Sequence, residues 1–185
     1  MKKKIFIIDG PDGSGKTTLA KKLSDIYNIP ILHLTYYSDP EKHASQFTKI
    51  TDMIKEWIKT CEGGFIVDRY ILSELVYHNV YRPDSPLIPN SDLIYEFMEH
   101  RAAMGEINII IALPEDRKRW LDYFKSLEQT REEMYSSEKM LNVYEEYLTY
   151  WKKLRYNNHV MRYDLFENME GQNKGKIQDI LDDED

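Results

Sequence analysis

Cysteine is almost absent. Cys61 is the single one in 185 residues, so no intramolecular disulfide can form and a secreted disulfide scaffold is excluded. Long apolar runs are also missing. No stretch approaches the ~20 apolar residues of a membrane-spanning helix, and no membrane partner is expected. Lys2, Lys3 and Lys4 ahead of Ile5-Phe6-Ile7-Ile8 imitate the start of a signal peptide. The apolar run ends at Asp9, however, short of the ~7–15 residues such a segment needs, so a soluble, cytoplasmic chain is expected. Positive charge is in the minority: 25 Lys and Arg against 32 Asp and Glu give a net charge of −7. Broad nucleic-acid binding rests on Lys and Arg neutralising phosphates, so no nucleic-acid partner is expected, although a local basic site is compatible with the balance. His33 and His43 lack metal-ligand spacing with Cys61, and no zinc site is assigned. Internal repeats and low-complexity linkers are absent, and one domain over residues 1–185 is expected.

What is present alternates apolar runs with helical periodicity, the pattern of an α/β fold with a parallel sheet. Strands are predicted at Lys4–Asp9, Ile31–Leu34, Phe65–Asp68, Glu106–Leu113 and His159–Tyr163. Helices are predicted at Lys16–Tyr27, Glu41–Thr60, Ile71–Val80, from Ser91-Asp92 to about Met104, and at Glu115–Leu127, opened by Pro114. A further long helix is read at Glu132–Tyr156, with a weakly patterned join near Gln129–Ser137. Arg82–Asn90, with three prolines, reads as a loop. Gly171–Gly175 reads as a flexible break before a short helix near Ile177–Leu181, and Asp182–Asp185 as a solvated acidic tail.

The strongest motif is Gly10-Pro11-Asp12-Gly13-Ser14-Gly15-Lys16-Thr17. It matches G-x-x-x-x-G-K-[ST], and it follows an apolar strand and opens a helix, the context this motif requires. The glycines let the backbone curl so that N–H groups face phosphate oxygens. Lys16 would reach the β- and γ-phosphates, and Thr17 would place its hydroxyl on Mg²⁺. The helix N-terminus adds its dipole to the same anion site. A chance match occurs on the order of once in 200 chains of this length at ordinary glycine usage, so the motif assigns nucleotide binding by Gly10, Asp12, Gly13, Ser14, Gly15, Lys16, Thr17 and Thr18. A second signal is Asp68 at the carboxyl end of an apolar strand, followed by Arg69. Parallel sheets bind ligands at that edge, so Asp68 is a candidate for the metal and Arg69 for a phosphate. The bland reading of this pair is a solvent-facing strand end.

Together the two motifs resemble the thymidylate kinase family, within the wider group of nucleoside and nucleotide monophosphate kinases. Asp9–Thr18 is similar to that family's E-G-x-D-G-x-G-K-T-T, and Asp68–Tyr77 to its D-R-[YH]-x-x-S-x-x-A-Y. The resemblance implies a P-loop NTPase fold of about five parallel strands flanked by helices, with a helical lid at about 115–137. It implies ATP as phosphoryl donor, Mg²⁺, and a small nucleotide or nucleoside as acceptor. Asp12, Arg69, Tyr70, Ser73 and Tyr77 would line the acceptor side, with Asp68 and Thr17 serving the metal. Lys16, Asp68, Arg69 and a lid arginine would be catalytic. The phosphate loop itself holds no Arg, so the lid version is implied, with Arg117, Arg119 and Arg131 as candidates and Arg131 preferred for its place in the join. Many members of the family are dimers, so a homodimer is a compatible arrangement.

Where the family carries R-E-P-G-G after its second strand, this chain has Tyr37-Ser38-Asp39-Pro40. Two acceptors follow from this. A monophosphate is already an anionic nucleophile and needs clamping. A nucleoside 5′-hydroxyl gains from a carboxylate base, and Asp39-Pro40 is similar to the E-P pair of deoxynucleoside kinases. Asp39 reads equally well as a helix N-cap. The reading that best joins both motifs is a deoxynucleoside monophosphate kinase. A deoxynucleoside kinase with Asp39 as base, a polynucleotide kinase and a non-kinase P-loop ATPase are the alternatives. Tyr36, Tyr37, Phe47, Tyr70 and Tyr77 supply aromatic faces near this pocket. The resemblance to the family's pattern makes Phe47 the first choice to stack on a base, or else it is core at helical spacing.

Overall fold

The computed structural model describes residues 3–35, 39–84, 88, 90–128 and 136–169. Its elements, in chain order, are β1 Lys4–Asp9, α1 Lys16–Tyr27, β2 Ile31–His33, α2 Pro40–Thr60, β3 Gly64–Asp68, α3 Ile71–Tyr81, α4 Ser91–Ala103, β4 Asn108–Ala112, α5 Arg117–Glu128, α6 Ser137–Leu154, β5 Val160–Tyr163 and α7 Leu165–Met169. The five strands form one sheet in the order β2-β3-β1-β4-β5, and every pairing is parallel. This is the α/β P-loop NTPase architecture that the two motifs predict.

The apolar runs explain the layering. Ile5–Ile8, Phe65–Val67 and Ile109–Ala112 are buried, as strands of a sheet covered on both faces must be. Register then sets the site. Ile8 of β1 lies opposite Asp68 of β3, so the first loop and the second acid leave the sheet side by side. The connection after β1 heads for β2 at one edge, and the one after β4 heads for β5 at the other. The crevice at the carboxyl edge opens where such connections part, between β1 and β4. Gly10 occupies that spot: a Cβ there would stand 2.2 Å from the Ala112 carbonyl oxygen at the end of β4. Only glycine lets the loop start so close to its neighbour.

Some boundaries differ from expectation for identifiable reasons. Pro114 does not open α5. The helix begins at Arg117, and the Asp116 carboxylate accepts the Arg119 N–H at 2.9 Å. The Pro114 carbonyl instead accepts from the Tyr144 hydroxyl at 2.6 Å and from Arg162 at 2.9 Å, which holds it outside the helix. α6 begins at Ser137 rather than Glu132, with the Ser136 hydroxyl accepting the Lys139 N–H. The short α7 has no counterpart in the sequence reading. The expected break at Gly171–Gly175, the helix at Ile177–Leu181 and the acidic tail lie outside the described residues, as does most of the join at 129–137. Among the described residues no helix is long and apolar enough to cross a membrane.

Candidate active site

Two cations and two carboxylates meet at the end of β1. Lys16 opens α1 with only 4% of its surface exposed. Its ammonium donates to the Pro11 carbonyl at 2.6 Å and stands 3.8 Å from Asp12 Oδ1. Burial and the neighbouring Arg69 lower its pKa from 10.5 to about 8. Burial alone would raise the Asp12 pKa, but Lys16 and Arg69 outweigh it and hold the carboxyl below its ordinary value. Arg69 Nη2 donates to Asp12 Oδ1 at 2.5 Å. The same aspartate raises the Arg69 pKa against the desolvation that opposes it.

Arg69 sits at φ 71°, in the left-handed region that a non-glycine residue rarely enters. Its neighbours hold the turn in place. The Arg69 N–H continues the ladder onto Ile8 O at 2.9 Å. Asp9 Oδ1 accepts the N–H groups of Tyr70 at 2.9 Å and Ser73 at 3.1 Å, and also the Ser73 hydroxyl. The Tyr147 hydroxyl of α6 donates in turn to Ser73 Oγ at 2.8 Å. Burial raises the Asp9 pKa despite these bonds. Asp9 was visible in the motif but carried no sequence signal for this capping of α3.

The second acid lies where register predicts. Thr17 Oγ1 donates to Asp68 Oδ2 at 3.0 Å, and His33 Nδ1, at the end of β2, lies 3.1 Å from the same oxygen. Asp68 is 1% exposed, and its Oδ1 has no hydrogen-bond partner among the described residues. A buried carboxylate oxygen without a donor, beside a phosphate-loop hydroxyl, fits a hard cation that takes oxygen ligands. Among the described residues no group of three His, Cys, Asp or Glu could hold a metal ion.

The pocket beside this cluster is about 210 Å³ and is lined by Asp12, Gly13, Gly15, Lys16, Thr17, Thr18 and Arg69, with Tyr123 and Leu127 of α5 and Leu165 as an apolar wall. Ser14, also assigned to the phosphate site, is fully buried. On the other side Tyr77 accepts the Asp12 N–H at 3.1 Å.

Two expected acceptor residues are placed differently. Phe47 is fully buried and stacks on Tyr70, with centroids 5.2 Å apart and planes 10° apart. Tyr70 is itself buried and donates its hydroxyl to Thr51 at 2.8 Å. The two rings face each other, so the reading of Phe47 as a base platform gives way to a core pair. Tyr70 is the other member of that buried pair. Asp39 caps α2, its Oδ1 accepting the N–H groups of Glu41 at 3.0 Å and Lys42 at 3.2 Å.

Of the lid candidates, Arg117 pairs with Glu145, and the Arg119 guanidinium packs 4.2 Å from the Phe166 centroid. Arg131 lies outside the described residues, as do Tyr36 and Tyr37. A buried polar cluster that the sequence did not announce joins α2 to α3. Glu74 Oε2 accepts from His43 at 2.9 Å and Arg82 at 3.1 Å, and these partners outweigh burial to lower the Glu74 pKa.

No family model matches the chain. An 81-residue segment, 43% of the chain, is 35% identical to the "Putative thymidylate kinase" of Acidianus bottle-shaped virus (isolate Italy/Pozzuoli) and covers 50% of that protein. A segment of the same length is 33% identical to the deoxyguanosine kinase of Bacillus subtilis (strain 168) and covers 37% of it. The chain thus matches half or less of each relative's length. Over 97% of this chain and 92% of the other, the fold superposes on the YorR protein of Bacillus subtilis, solved with phosphorylated GDP, at TM-score 0.60 and 22% identity. Deoxyadenosine kinase from M. mycoides, solved with dCMP and dCDP, superposes over 96% of both chains at TM-score 0.56 and 16% identity. The solved structures show the P-loop NTPase fold, and the likeness to the thymidylate kinase-like group is borne out by the relatives named putative thymidylate kinase and deoxyguanosine kinase.

Proposed function

We propose that the chain is an ATP-dependent phosphotransferase that moves the γ-phosphoryl group to a deoxynucleoside monophosphate. The observation that carries this reading is the shared wall of Lys16, Thr17 and Arg69 in one pocket, with Asp68 bonded to Thr17. Phosphoryl transfer asks a protein mainly for positioning and charge stabilisation, and this wall supplies both. Lys16 is poised against the Pro11 carbonyl and would exchange that oxygen for a phosphate oxygen. Arg69, held by Asp12, would face charge building on the transferred group. Thr17 and Asp68 would hold Mg²⁺, which when bound neutralises phosphate charge. A lid arginine, Arg131 by preference, would close the site against water.

The monophosphate is favoured over a nucleoside because Asp39, the candidate base, is already engaged as a helix cap. The nucleoside reading is kept as second because the relatives and neighbours include deoxyguanosine and deoxyadenosine kinases. We further propose a single kinase unit over residues 1–185, acting in the cytoplasm on small molecules rather than on nucleic acid, and compatible with a homodimer. The test is ADP release from Mg·ATP across a panel of deoxynucleosides and their monophosphates. Turnover with a monophosphate supports the first reading. Turnover with nucleosides alone replaces it with the second, and no turnover with any acceptor sinks both.

A further inference from the structure

The Trp120 side chain is wholly buried, and its indole does more than fill space. It stacks on Phe124 and meets Tyr144 at a tilt, with centroids 6.0 and 5.2 Å away. Its Nε1–H also donates to the Asp12 carbonyl of the phosphate loop at 3.0 Å, across 108 residues of sequence. The N–H of the same residue donates to the Tyr77 hydroxyl of α3 at 3.1 Å. Asp12 is therefore clamped at both of its main-chain polar groups, by two different helices.

The consequence lies one atom further along. The Asp12 carbonyl and the Gly13 N–H belong to one planar trans peptide and point in opposite directions. An indole that captures the carbonyl turns the Gly13 N–H away from itself. Gly13 lines the pocket, and no acceptor among the described residues takes its N–H. Its φ of +73° lies where glycine moves freely, so little in the local backbone opposes a peptide flip. A flip would aim a carbonyl oxygen, the wrong sign of charge, at an incoming phosphate.

We propose that Trp120 is a positioning residue for the phosphate loop: its indole N–H fixes the Asp12–Gly13 peptide plane and presents the Gly13 N–H to a di- or triphosphate. The same bond ties the loop to α5. This inference rests on the nucleotide-binding reading and adds to it a residue that lies outside the motif.

The test replaces Trp120 with benzothienylalanine, which keeps the ring shape but substitutes sulfur for the N–H, and separately makes Trp120→Phe. Calorimetric titrations with ADP and with inorganic pyrophosphate give the affinities. The lost bond should weaken both about three- to tenfold, while the isostere melts within a few degrees of the wild type. In ¹⁵N-labelled protein, pyrophosphate should move the Gly13 amide resonance in the wild type and much less in the isostere. An ordinary core role would lower the melting temperature without touching that resonance. Wild-type affinities and a wild-type Gly13 response in the folded isostere overturn the proposal, whatever Trp120→Phe does to folding. A wild-type chain that binds neither ADP nor pyrophosphate overturns the nucleotide reading itself, and the proposal with it.

Discussion

Replacing Lys16 with Met separates the two things a buried lysine does here. Lys16 is 4% exposed, and burial, with the neighbouring Arg69, brings its pKa from 10.5 to about 8. That change corresponds to roughly 3 kcal/mol by which the folded state disfavours the charged form. Met has similar length and no charge, so the substitution removes this cost. It also removes the charge-assisted bond to the Pro11 carbonyl, worth about 1.5–3 kcal/mol. The two nearly cancel, and Lys16→Met should be as stable as the wild type at pH 7, or up to ~2 kcal/mol more stable. Urea unfolding measures this directly. Between pH 8 and 10.5 the unfolded chain holds the Lys16 proton more tightly than the folded one, so wild-type stability rises with pH there. Any advantage of the variant is therefore full below about pH 8 and shrinks as pH climbs towards 10.5. Phosphoryl transfer should nevertheless fall by about 10²–10³ or more, as when one preorganised donor is removed from a developing charge. Wild-type turnover would refute the phosphate-loop assignment. A loss of more than about 2 kcal/mol in stability would refute the reading of Lys16 as a charge held at a cost for the sake of its ligand.

Phe47→Ala should cost about 3–5 kcal/mol in urea unfolding, as a buried aromatic does; unchanged stability with a raised acceptor KM would restore its reading as a base platform. Asp39→Asn keeps a good cap whereas Asp39→Ala loses about 1 kcal/mol of it. Monophosphate turnover should survive the Asn change, and a loss of about 10²-fold or more confined to nucleoside acceptors would point to Asp39 as a base. Arg131→Ala should lower turnover more than ATP affinity, and if it is silent while Arg117→Ala or Arg119→Ala is not, the lid role moves to those positions.

The parts of the site that the sequence shows are those built from neighbours in the chain. Gly10–Thr17 is contiguous, and its strand-loop-helix context follows from the apolar run before it and the helical spacing after it. Asp68 becomes legible because a parallel strand must deliver its last residue to the ligand-bearing edge, and pairing of Ile8 with Asp68 does so. The grip of Trp120 and Tyr77 on Asp12 spans 108 and 65 residues, and no periodicity encodes such a meeting. Phe47 shows the opposite difficulty. Its helical spacing fits a core face and a pocket wall equally, and only the stacked Tyr70 ring decides between them. Pro114 misled because proline at a first helical turn is a common preference, here overridden by Tyr144 and Arg162 binding its carbonyl.

Arg69 depends on its neighbours for its backbone conformation. A left-handed backbone at a non-glycine residue costs on the order of 1–3 kcal/mol and persists only where its surroundings over-determine it. Here they do so from both sides: Ile8 O takes the Arg69 N–H, and Asp9 takes the next N–H along and the start of α3. The turn ends the strand abruptly, so the guanidinium meets Asp12 rather than continuing along the sheet. Among the described residues Asp9 makes no hydrogen bond or ion pair with Lys16 or Arg69, yet it fixes the turn from which Arg69 projects. Asp9→Asn keeps an acceptor oxygen at the same place, and so should hold the turn, whereas Asp9→Ala removes the acceptor for three donors at once. The Ala variant should therefore lose the Arg69–Asp12 pairing along with stability, and the Asn variant should retain both; equal turnover losses in the two would show that the charge of Asp9, not its cap, is what the site uses.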